Sequence, residues 1–173
     1  MGREIRRVPP NWEHPRYTHD NAPRSNMVGQ LIGMRDQEYD EAAREWIEGF
    51  DLWRQGKHES QSGKYASTSK YYWEYDTPPE ELSYRPRFDA EPTWYQVYET
   101  VSDGTPVTPP FATQDELIDY LVNVGEMAGT QYNRKSSRAA ATKFVKEMGW
   151  VPSMIVENGP SGVTFKEGIE AAV

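Results

Sequence analysis

The sequence predicts an α+β fold, in which a small antiparallel sheet is covered by two or three helices. Three observations predict it: apolar residues at helical spacing over 36–55, a strand-like run over 93–101, and a helix capping box that begins at Thr113. The 173 residues are enough for one domain with a proper core. We therefore expect an extended, proline-rich N-terminal arm over 1–35, followed by a single α+β domain over 36–173.

The predicted arm is defined by its prolines. Four of them prevent a regular helix over 1–35, and only Trp12 and Tyr17 offer isolated aromatic anchors. His14 and His19 are the only neighbouring histidines, and the proline-rich chain between them gives no fixed metal geometry. We therefore expect His14 to pack beside Trp12, and we expect no metal site.

Residues 36–55 form the clearest predicted helix. Its apolar side chains recur at intervals of three and four and so share one stripe: Tyr39, Ala43, Trp46, Phe50 and Trp53. We expect this stripe to be core, although Gly49 weakens the helix by about 1 kcal/mol relative to alanine. A polar linker follows at about 57–70. Because the chain holds six Trp, 11 Tyr and five Phe but is only 36% hydrophobic, we expect a core that is more aromatic than aliphatic.

Further strand and helix signals follow in the second half of the chain. Residues 93–101 combine β-branched and aromatic side chains, which favour a strand. Thr113 and Glu116 form a capping box that begins a second helix, and Ser137 can cap a third. Residues 152–165 have the pattern of a closing hairpin or turn.

The charge distribution favours a basic protein partner. The chain has a net charge of −8, and residues 36–91 hold 14 acidic and seven basic side chains. Direct binding to nucleic acid is not expected, because phosphates are bound through lysine and arginine. An acidic surface instead attracts a basic protein. The alternative interpretation is a solvated acidic face that only keeps the protein soluble.

The composition also excludes several classes of function. The chain has no cysteine, which excludes disulfides, thiol catalysis and cysteine-based metal centres. No apolar run approaches the roughly 18 residues of a membrane span, and the basic start lacks the apolar segment of a signal peptide. The spacing Ser67-x-x-Lys70 occurs without the companion motifs of Ser–Lys acyltransferases. We therefore expect an intracellular, non-enzymatic protein with no cofactor and no membrane contact.

An aromatic and acidic segment over 71–98 is the main candidate for partner binding. Tyrosine and tryptophan dominate binding hot spots, and acidic neighbours select a basic partner. The predicted partner-binding residues are Tyr71, Tyr72, Trp73, Glu74, Tyr75, Asp76, Glu80, Glu81 and Tyr84. The alternative is that these residues provide the irregular packing of a small domain.

A basic cluster at the predicted start of the third helix is a candidate phosphate site. It consists of Arg134, Lys135 and Arg138. Guanidinium groups, together with free backbone N–H groups at a helix start, can hold a phosphate. The alternative is a surface cluster of positive charge that complements the acidic middle of the chain.

Several segments carry motifs that are specific when taken together. They are Gly2-Arg3-Glu4-Ile5-Arg6-Arg7-Val8-Pro9, Trp12-x-His14-Pro15, Glu45-Trp46 with Trp53-x-x-Gly56, the box Tyr95–Pro109 with Tyr98-Glu99-Thr100-x-Ser102-x-Gly104-Thr105-Pro106, Phe111–Leu117 and Pro152–Gly159. In these motifs the chain resembles a widespread family of uncharacterised accessory proteins of tailed phages and prophages. The resemblance implies a protein made in the host cytoplasm, and it assigns no catalytic or ligand residues. Some relatives carry a cysteine pair suggestive of zinc, which this chain lacks.

The sequence therefore predicts a phage accessory protein that binds a host protein with a basic surface. It would act as an inhibitor or anti-defence factor, for example as a mimic of nucleic acid. One alternative is a virion or assembly component that forms homo-oligomers, and another is a small nucleotide-binding or nucleotide-sequestering protein. We expect Trp73, Glu74 and Asp76 to affect binding more than folding, and Trp46 and Phe50 to affect folding more than binding.

Overall fold

The structure is a computed structural model, and it divides the chain into two compact units. It describes residues 2–100, 104–125, 135–147, 149–152, 154–159 and 162–170. Unit 1 consists of Met1–Gly33 and Phe88–Val173, and unit 2 consists of Met34–Arg87. The α+β class is confirmed. The organisation differs from the predicted arm and single domain, because the N-terminal segment belongs to the same unit as the C-terminal half.

Seven strands and four α-helices are formed by the described residues. The strands are β1 (Gly2–Val8), β2 (Arg35–Glu38), β3 (Tyr84–Arg85), β4 (Trp94–Thr100), β5 (Val151–Pro152), β6 (Met154–Gly159) and β7 (Gly162–Glu167). The helices are α1 (Tyr39–Arg54), α2 (Tyr72–Tyr75), α3 (Gln114–Asn123) and α4 (Arg138–Lys146). None of the helices in these described ranges has the length and apolar character needed to cross a membrane.

Unit 1 is built on a three-stranded antiparallel sheet with the order β4-β1-β5. β1 pairs with β4 along its whole length, from Gly2 opposite Thr100 to Val8 opposite Trp94. It also pairs with β5 through Gly2 and Arg3. The start of the chain is therefore the central strand of this sheet. The predicted strand over 93–101 is confirmed as β4.

The prediction of an extended arm over 1–35 is wrong for β1. Arginines usually lie at the surface, so the two buried arginines of this strand hid its pattern of buried residues. The side chain of Arg3 is only 2% exposed, and its Nη1 lies 3.1 Å from Glu99 Oε1. Arg6 is also buried, with its guanidinium 4.4 Å from the centre of the Tyr98 ring. Charged residues are almost never buried unless they are paired. Here β4 provides Glu99 for Arg3 and the Tyr98 ring for Arg6, and Glu4 of β1 itself forms the ion pair with Arg6.

The helices of unit 1 begin where their capping residues predict. Thr113 Oγ1 accepts a hydrogen bond from Glu116 N at 3.2 Å, and the Glu116 carboxylate accepts one from Thr113 N at 3.0 Å. Ser137 Oγ caps α4 by accepting from Ala140 N at 3.3 Å. The predicted second and third helices and their caps are therefore confirmed as α3 and α4.

The core of unit 1 is mainly aliphatic, unlike the aromatic core expected from the composition. Its buried members are Ile5, Val97, Val107, Leu117, Ile118, Leu121, Ala140, Ala141, Phe144, Val145, Val151 and Ile169. Helices α3 and α4 supply most of these side chains, at spacings of three and four residues. The predicted closing hairpin is confirmed as β6 and β7, which pair from Met154 opposite Glu167 to Gly159 opposite Gly162.

Unit 2 contains the predicted long helix, α1, and the aromatic core. β2 and β3 form a short parallel pair in which Arg35 lies opposite Tyr84. On α1, Trp53 is buried, whereas Trp46 and Phe50 are half-buried, so only part of the predicted core stripe is fully enclosed. The linker predicted at about 57–70 contains only a short 3-10 turn, Glu59–Gln61.

Candidate partner-binding site

The site in unit 2 is organised around the ring of Tyr72, which is only 5% exposed. The ring centre of Tyr72 lies 5.2 Å from that of Trp46, 5.7 Å from that of Trp53 and 5.4 Å from that of His58. The ring planes in these pairs are tilted by 48–58°, and the ring centres lie within the distances typical of interacting aromatic side chains. This cluster holds the short helix α2 against the face of α1.

Asp76 connects α1 and α2 through two hydrogen bonds. Tyr72 Oη donates to Asp76 Oδ2 at 3.1 Å, and Trp46 Nε1 donates to the Asp76 carbonyl oxygen at 2.9 Å. Burial, followed by the hydrogen bond to the Asp76 carboxylate, raises the pKa of Tyr72 to about 12. Tyr72 is therefore a neutral donor at physiological pH, and it fixes the position of the Asp76 carboxylate.

Two of the predicted partner-binding residues, Tyr72 and Tyr84, are buried, which corrects their predicted place on an exposed surface; both line a pocket instead. Their rings are part of the core of unit 2, where Tyr72 packs beside Trp53 and Tyr84 packs beside Tyr39. The hydroxyl of Tyr84 accepts a hydrogen bond from Arg35 Nη1 at 3.2 Å, and the Arg35 guanidinium lies 5.4 Å from the ring centre.

Glu74 is exposed, but its carboxylate has a structural role. Glu74 Oε2 accepts hydrogen bonds from the backbone N–H groups of Lys70 at 3.0 Å and Tyr71 at 3.1 Å. These bonds satisfy amides at the start of α2. Reversing the charge of Glu74 would therefore change the helix start as well as the surface charge.

Tyr71 and Trp73 form an exposed stacked pair. Their ring centres are 4.6 Å apart and their planes differ by 6°, while Tyr71 remains 40% exposed and Trp73 49% exposed. Phe50 supports the pair, with its ring centre 6.5 Å from that of Trp73. Tyr75 is exposed as well, but it stacks on Trp53 and accepts a hydrogen bond from Ser60 Oγ. Tyr71 and Trp73 therefore present an exposed aromatic surface within the predicted segment.

Three other acidic side chains of the predicted segment lie at the surface of unit 2. The carboxylates of Asp76, Glu80 and Glu81 are exposed, and none forms an ion pair with any residue in the described part of the chain. By contrast, Asp36 and Glu38 of the same unit both pair with Arg85. The segment thus presents negative charge that is available to a partner.

A pocket of about 600 Å³ lies in unit 2 beside this segment. The aromatic and charged side chains that line it are Arg35, Glu45, Trp46, Tyr72, Tyr75, Asp76, Glu80 and Tyr84. Arg35 and Glu45 are not among the site residues predicted from the sequence. The parallel pairing of β2 with β3 brings Arg35 to the pocket, and no local pattern in the sequence reveals that pairing. Glu45 could have been predicted as a site residue, because it lies next to Trp46 on α1.

The predicted phosphate site is not supported by the geometry of α4. Arg138 Nη2 lies 2.6 Å from Asp119 Oδ1, so that its charge is already paired. The Glu170 carboxylate accepts a hydrogen bond from the backbone N–H of Ser137, at the helix start where the phosphate was expected. Lys135 is exposed, and Arg134 lies outside the described residues. Carboxylates of the chain therefore already bind two of the donor groups that the prediction assigned to a phosphate, the Arg138 guanidinium and the Ser137 N–H.

His14 packs in unit 1 as expected. Its ring centre is 6.4 Å from that of Trp12, its Nε2 is 2.6 Å from the Ile32 carbonyl oxygen, and its Nδ1 is 3.1 Å from Tyr98 Oη. Among the residues that the structure describes, no three His, Asp or Glu side chains are grouped closely enough to hold a metal ion.

Comparison with known proteins does not assign the chain to a family. The chain matches no protein-family model, no curated protein and no solved structure. The resemblance to phage accessory proteins, which depends on the motifs quoted above, therefore stays a prediction.

Proposed function

We propose that this chain is an accessory protein of a tailed phage that acts in the host cytoplasm by binding a host protein, without catalysis. The partner has a basic surface and contacts unit 2. The observation that carries the proposal is the exposed stacked pair Tyr71 and Trp73, in a segment whose Glu80 and Glu81 form no ion pair with any described residue.

The stacked pair has the properties of a binding hot spot. Tryptophan and tyrosine offer a large rigid contact area at a low entropic cost. The stacking of Tyr71 on Trp73, with Phe50 behind them, restricts both rings before any partner arrives. A preorganised anchor loses less freedom on binding, so more of its contact energy contributes to affinity.

The charge of unit 2 supports a basic partner. The unit contains 12 acidic and eight basic side chains, and the exposed carboxylates of Glu80 and Glu81 have no ion-pair partner in the described part of the chain. Such charges accelerate association with a basic surface, and the acceleration falls as salt rises. The alternative of a merely solvated acidic face does not account for the aromatic platform in the same segment.

Flat exposed rings and nearby negative charge are also the two features by which single-stranded nucleic acid is recognised. A protein that binds nucleic acid through a basic, aromatic-lined channel would find both features in unit 2. We therefore propose that the partner is a nucleic-acid-binding host protein and that unit 2 competes with its nucleic acid.

The test compares two double variants of the whole chain. The surface variant combines Trp73→Ala with Glu81→Lys. The matched control combines Tyr65→Ala, another exposed aromatic residue of unit 2, with Glu13→Lys, an exposed acid of unit 1. Each variant and the unaltered chain is used for a pull-down from host lysate at low and moderate salt, with mass spectrometry of the captured proteins.

We expect the unaltered chain and the control to capture a nucleic-acid-binding protein with a basic surface, and the surface variant to lose it. An excess of single-stranded nucleic acid should release the captured protein. Equal capture by the surface variant, or no basic partner at low salt, would contradict the proposal. If the surface variant instead dissociates an oligomer of the chain in light scattering, self-assembly becomes the favoured function.

A further inference from the structure

We propose that the unit 2 pocket binds an arginine side chain of the partner protein. The inference deepens the proposed function, on which it rests for the source of the arginine. The pocket volume of about 600 Å³ falls within the about 300–1,000 Å³ of typical ligand pockets.

The pocket has aromatic walls that suit a planar cation. Trp46, Tyr72 and Tyr75 line it, and the buried Tyr72 is held between Trp46 and Trp53. A guanidinium group is attracted to the face of an aromatic ring, most strongly to that of tryptophan, and it stacks there more readily than an ammonium group. The walls therefore favour arginine over an aliphatic or anionic side chain.

The charges that line the pocket favour one additional cation. Three carboxylates (Glu45, Asp76 and Glu80) and one guanidinium (Arg35) line it, which leaves a net lining charge of −2. None of the three carboxylates forms an ion pair within the described ranges. An arginine from the partner would compensate part of this charge.

Two of these carboxylates are held in position by hydrogen bonds. Glu45 Oε2 accepts from Gln37 Nε2 at 2.9 Å, and Asp76 Oδ2 accepts from Tyr72 Oη at 3.1 Å. Each carboxylate has about four acceptor sites, so one bond leaves capacity for a guanidinium. Oriented carboxylates suit arginine, whose five N–H donors lie in a rigid plane.

The chain already binds one guanidinium in the same pocket. Arg35 lies over the Tyr84 ring, 5.4 Å from its centre, and donates to the Tyr84 hydroxyl at 3.2 Å. Arg35 is thus bound by an aromatic ring and an oxygen acceptor. Trp46 with Asp76 and Glu45 offers the same combination to a second guanidinium, with full negative charges in place of the hydroxyl.

The test uses short peptides as probes and the whole chain as receptor. The peptides are acetylated, amidated Gly-x-Gly, with arginine, lysine or the uncharged citrulline at the middle position. Binding is followed by NMR, through the indole N–H signal of Trp46, which is assigned by its loss in Trp46→Phe. We expect the arginine peptide to shift this signal, with at least tenfold tighter binding than citrulline and tighter binding than lysine.

Two double variants then show whether the carboxylates of the pocket bind the arginine peptide. Glu45→Gln with Glu80→Gln should weaken binding of the arginine peptide at least tenfold. The control, Glu41→Gln with Glu48→Gln, removes two exposed carboxylates that lie outside the pocket and should leave the affinity unchanged. Equal affinity for arginine and citrulline, or equal losses in the two double variants, would overturn the inference.

These experiments distinguish failure of the arginine-pocket inference from failure of the proposed function. If the arginine peptide does not bind, but the surface variant (Trp73→Ala with Glu81→Lys) fails to capture the host protein that the unaltered chain captures, the inference is wrong and the proposed function stands. If the peptide binds as expected but no basic partner is captured, the pocket is an arginine site and the proposed function falls.

Discussion

The hydroxyl end of the Tyr72 side chain occupies the space in which any side chain at Gly49 would begin. A Cβ atom placed on Gly49 would lie 2.7 Å from Tyr72 Cζ, and closer still to the hydroxyl oxygen. Real Cβ atoms do not approach other atoms so closely. Gly49 therefore allows α2 to pack directly on the middle of α1.

Gly49→Ala should consequently destabilise the protein. Helix propensity alone predicts a gain of about 1 kcal/mol for this substitution, whereas overpacking typically costs about 1–3 kcal/mol. We expect the packing effect to dominate, because the contact is with a buried ring held on several sides. Urea unfolding measures the change. Gly149→Ala, where a Cβ meets nothing within 4 Å, serves as the control and should change stability little. A stabilised Gly49→Ala protein would show that Tyr72 does not lie there.

The stability lost when each tryptophan of unit 2 is truncated to alanine should increase with the burial of that tryptophan. Trp53 is buried, so Trp53→Ala should cost about 3–5 kcal/mol. Trp46 is half-buried and donates to the Asp76 carbonyl oxygen, so we expect an intermediate loss. Trp73→Ala should change stability by only about 0.5 kcal/mol, as exposed positions usually do. Thermal and urea melts of the three variants give the order directly. A loss for Trp73→Ala equal to that for Trp53→Ala would place Trp73 in the core.

Tyr72 should make the stability of the protein sensitive to alkaline pH. Its pKa is raised from an ordinary value of 10 to about 12, so the folded chain holds the phenol proton more tightly than the unfolded chain does. This contribution is complete below pH 10 and is lost as the pH rises toward 12.

Comparison with Tyr72→Phe isolates this effect. Near neutral pH the variant should be less stable by about 1 kcal/mol, because it lacks the hydrogen bond to Asp76. The difference between the two proteins should shrink as the pH rises above 10. Tyr65→Phe, which alters an exposed ring, is the control. A difference that is constant up to pH 12 would argue against the raised pKa of Tyr72.

His14 should make unit 1 sensitive to acid. Burial, with smaller contributions from Arg6 and Arg16, lowers the pKa of His14 below its ordinary value of 6.5, against the opposing hydrogen bond to the Ile32 carbonyl. The unfolded chain therefore binds a proton at this position before the folded chain does. Stability should decline as the pH falls below 6.5 and stop declining below the folded pKa.

Unfolding free energies measured between pH 7 and pH 5 test this expectation. His14→Gln should show a weaker decline than the unaltered chain over that interval, whereas His19→Gln, at an exposed position, should follow the unaltered chain. Parallel curves for His14→Gln and the unaltered chain would mean that His14 is not held neutral by its surroundings.

Local patterns in the sequence determined several elements of this fold. The stripe that includes Trp46 and Trp53 identified α1, and the capping box of Thr113 and Glu116 identified the start of α3. Ser137 likewise marked the start of α4. These features depend on residues no more than four positions apart, so the sequence alone contains the interaction that stabilises them.

The exposed part of the candidate site was also partly predictable. Tyr71 and Trp73 belong to a run with no helical or alternating period, and both are exposed in the structure. Their neighbour Tyr72 is the buried centre of unit 2. Composition predicted an acidic, aromatic segment there, but it did not distinguish the residues that the core encloses from those that solvent reaches.

Tertiary structure alone decided the rest, through pairings between distant residues. β1 was not predicted because its buried Arg3 pairs with Glu99, a residue 96 positions away. Arg35 lines the pocket because β2 places it opposite Tyr84, and Gly49 is required because Tyr72 lies against it. Burying a charge, or packing a ring on a backbone, is favourable only when its partner is present. Each of these partners is present in the sequence, but they come into contact only in the folded chain.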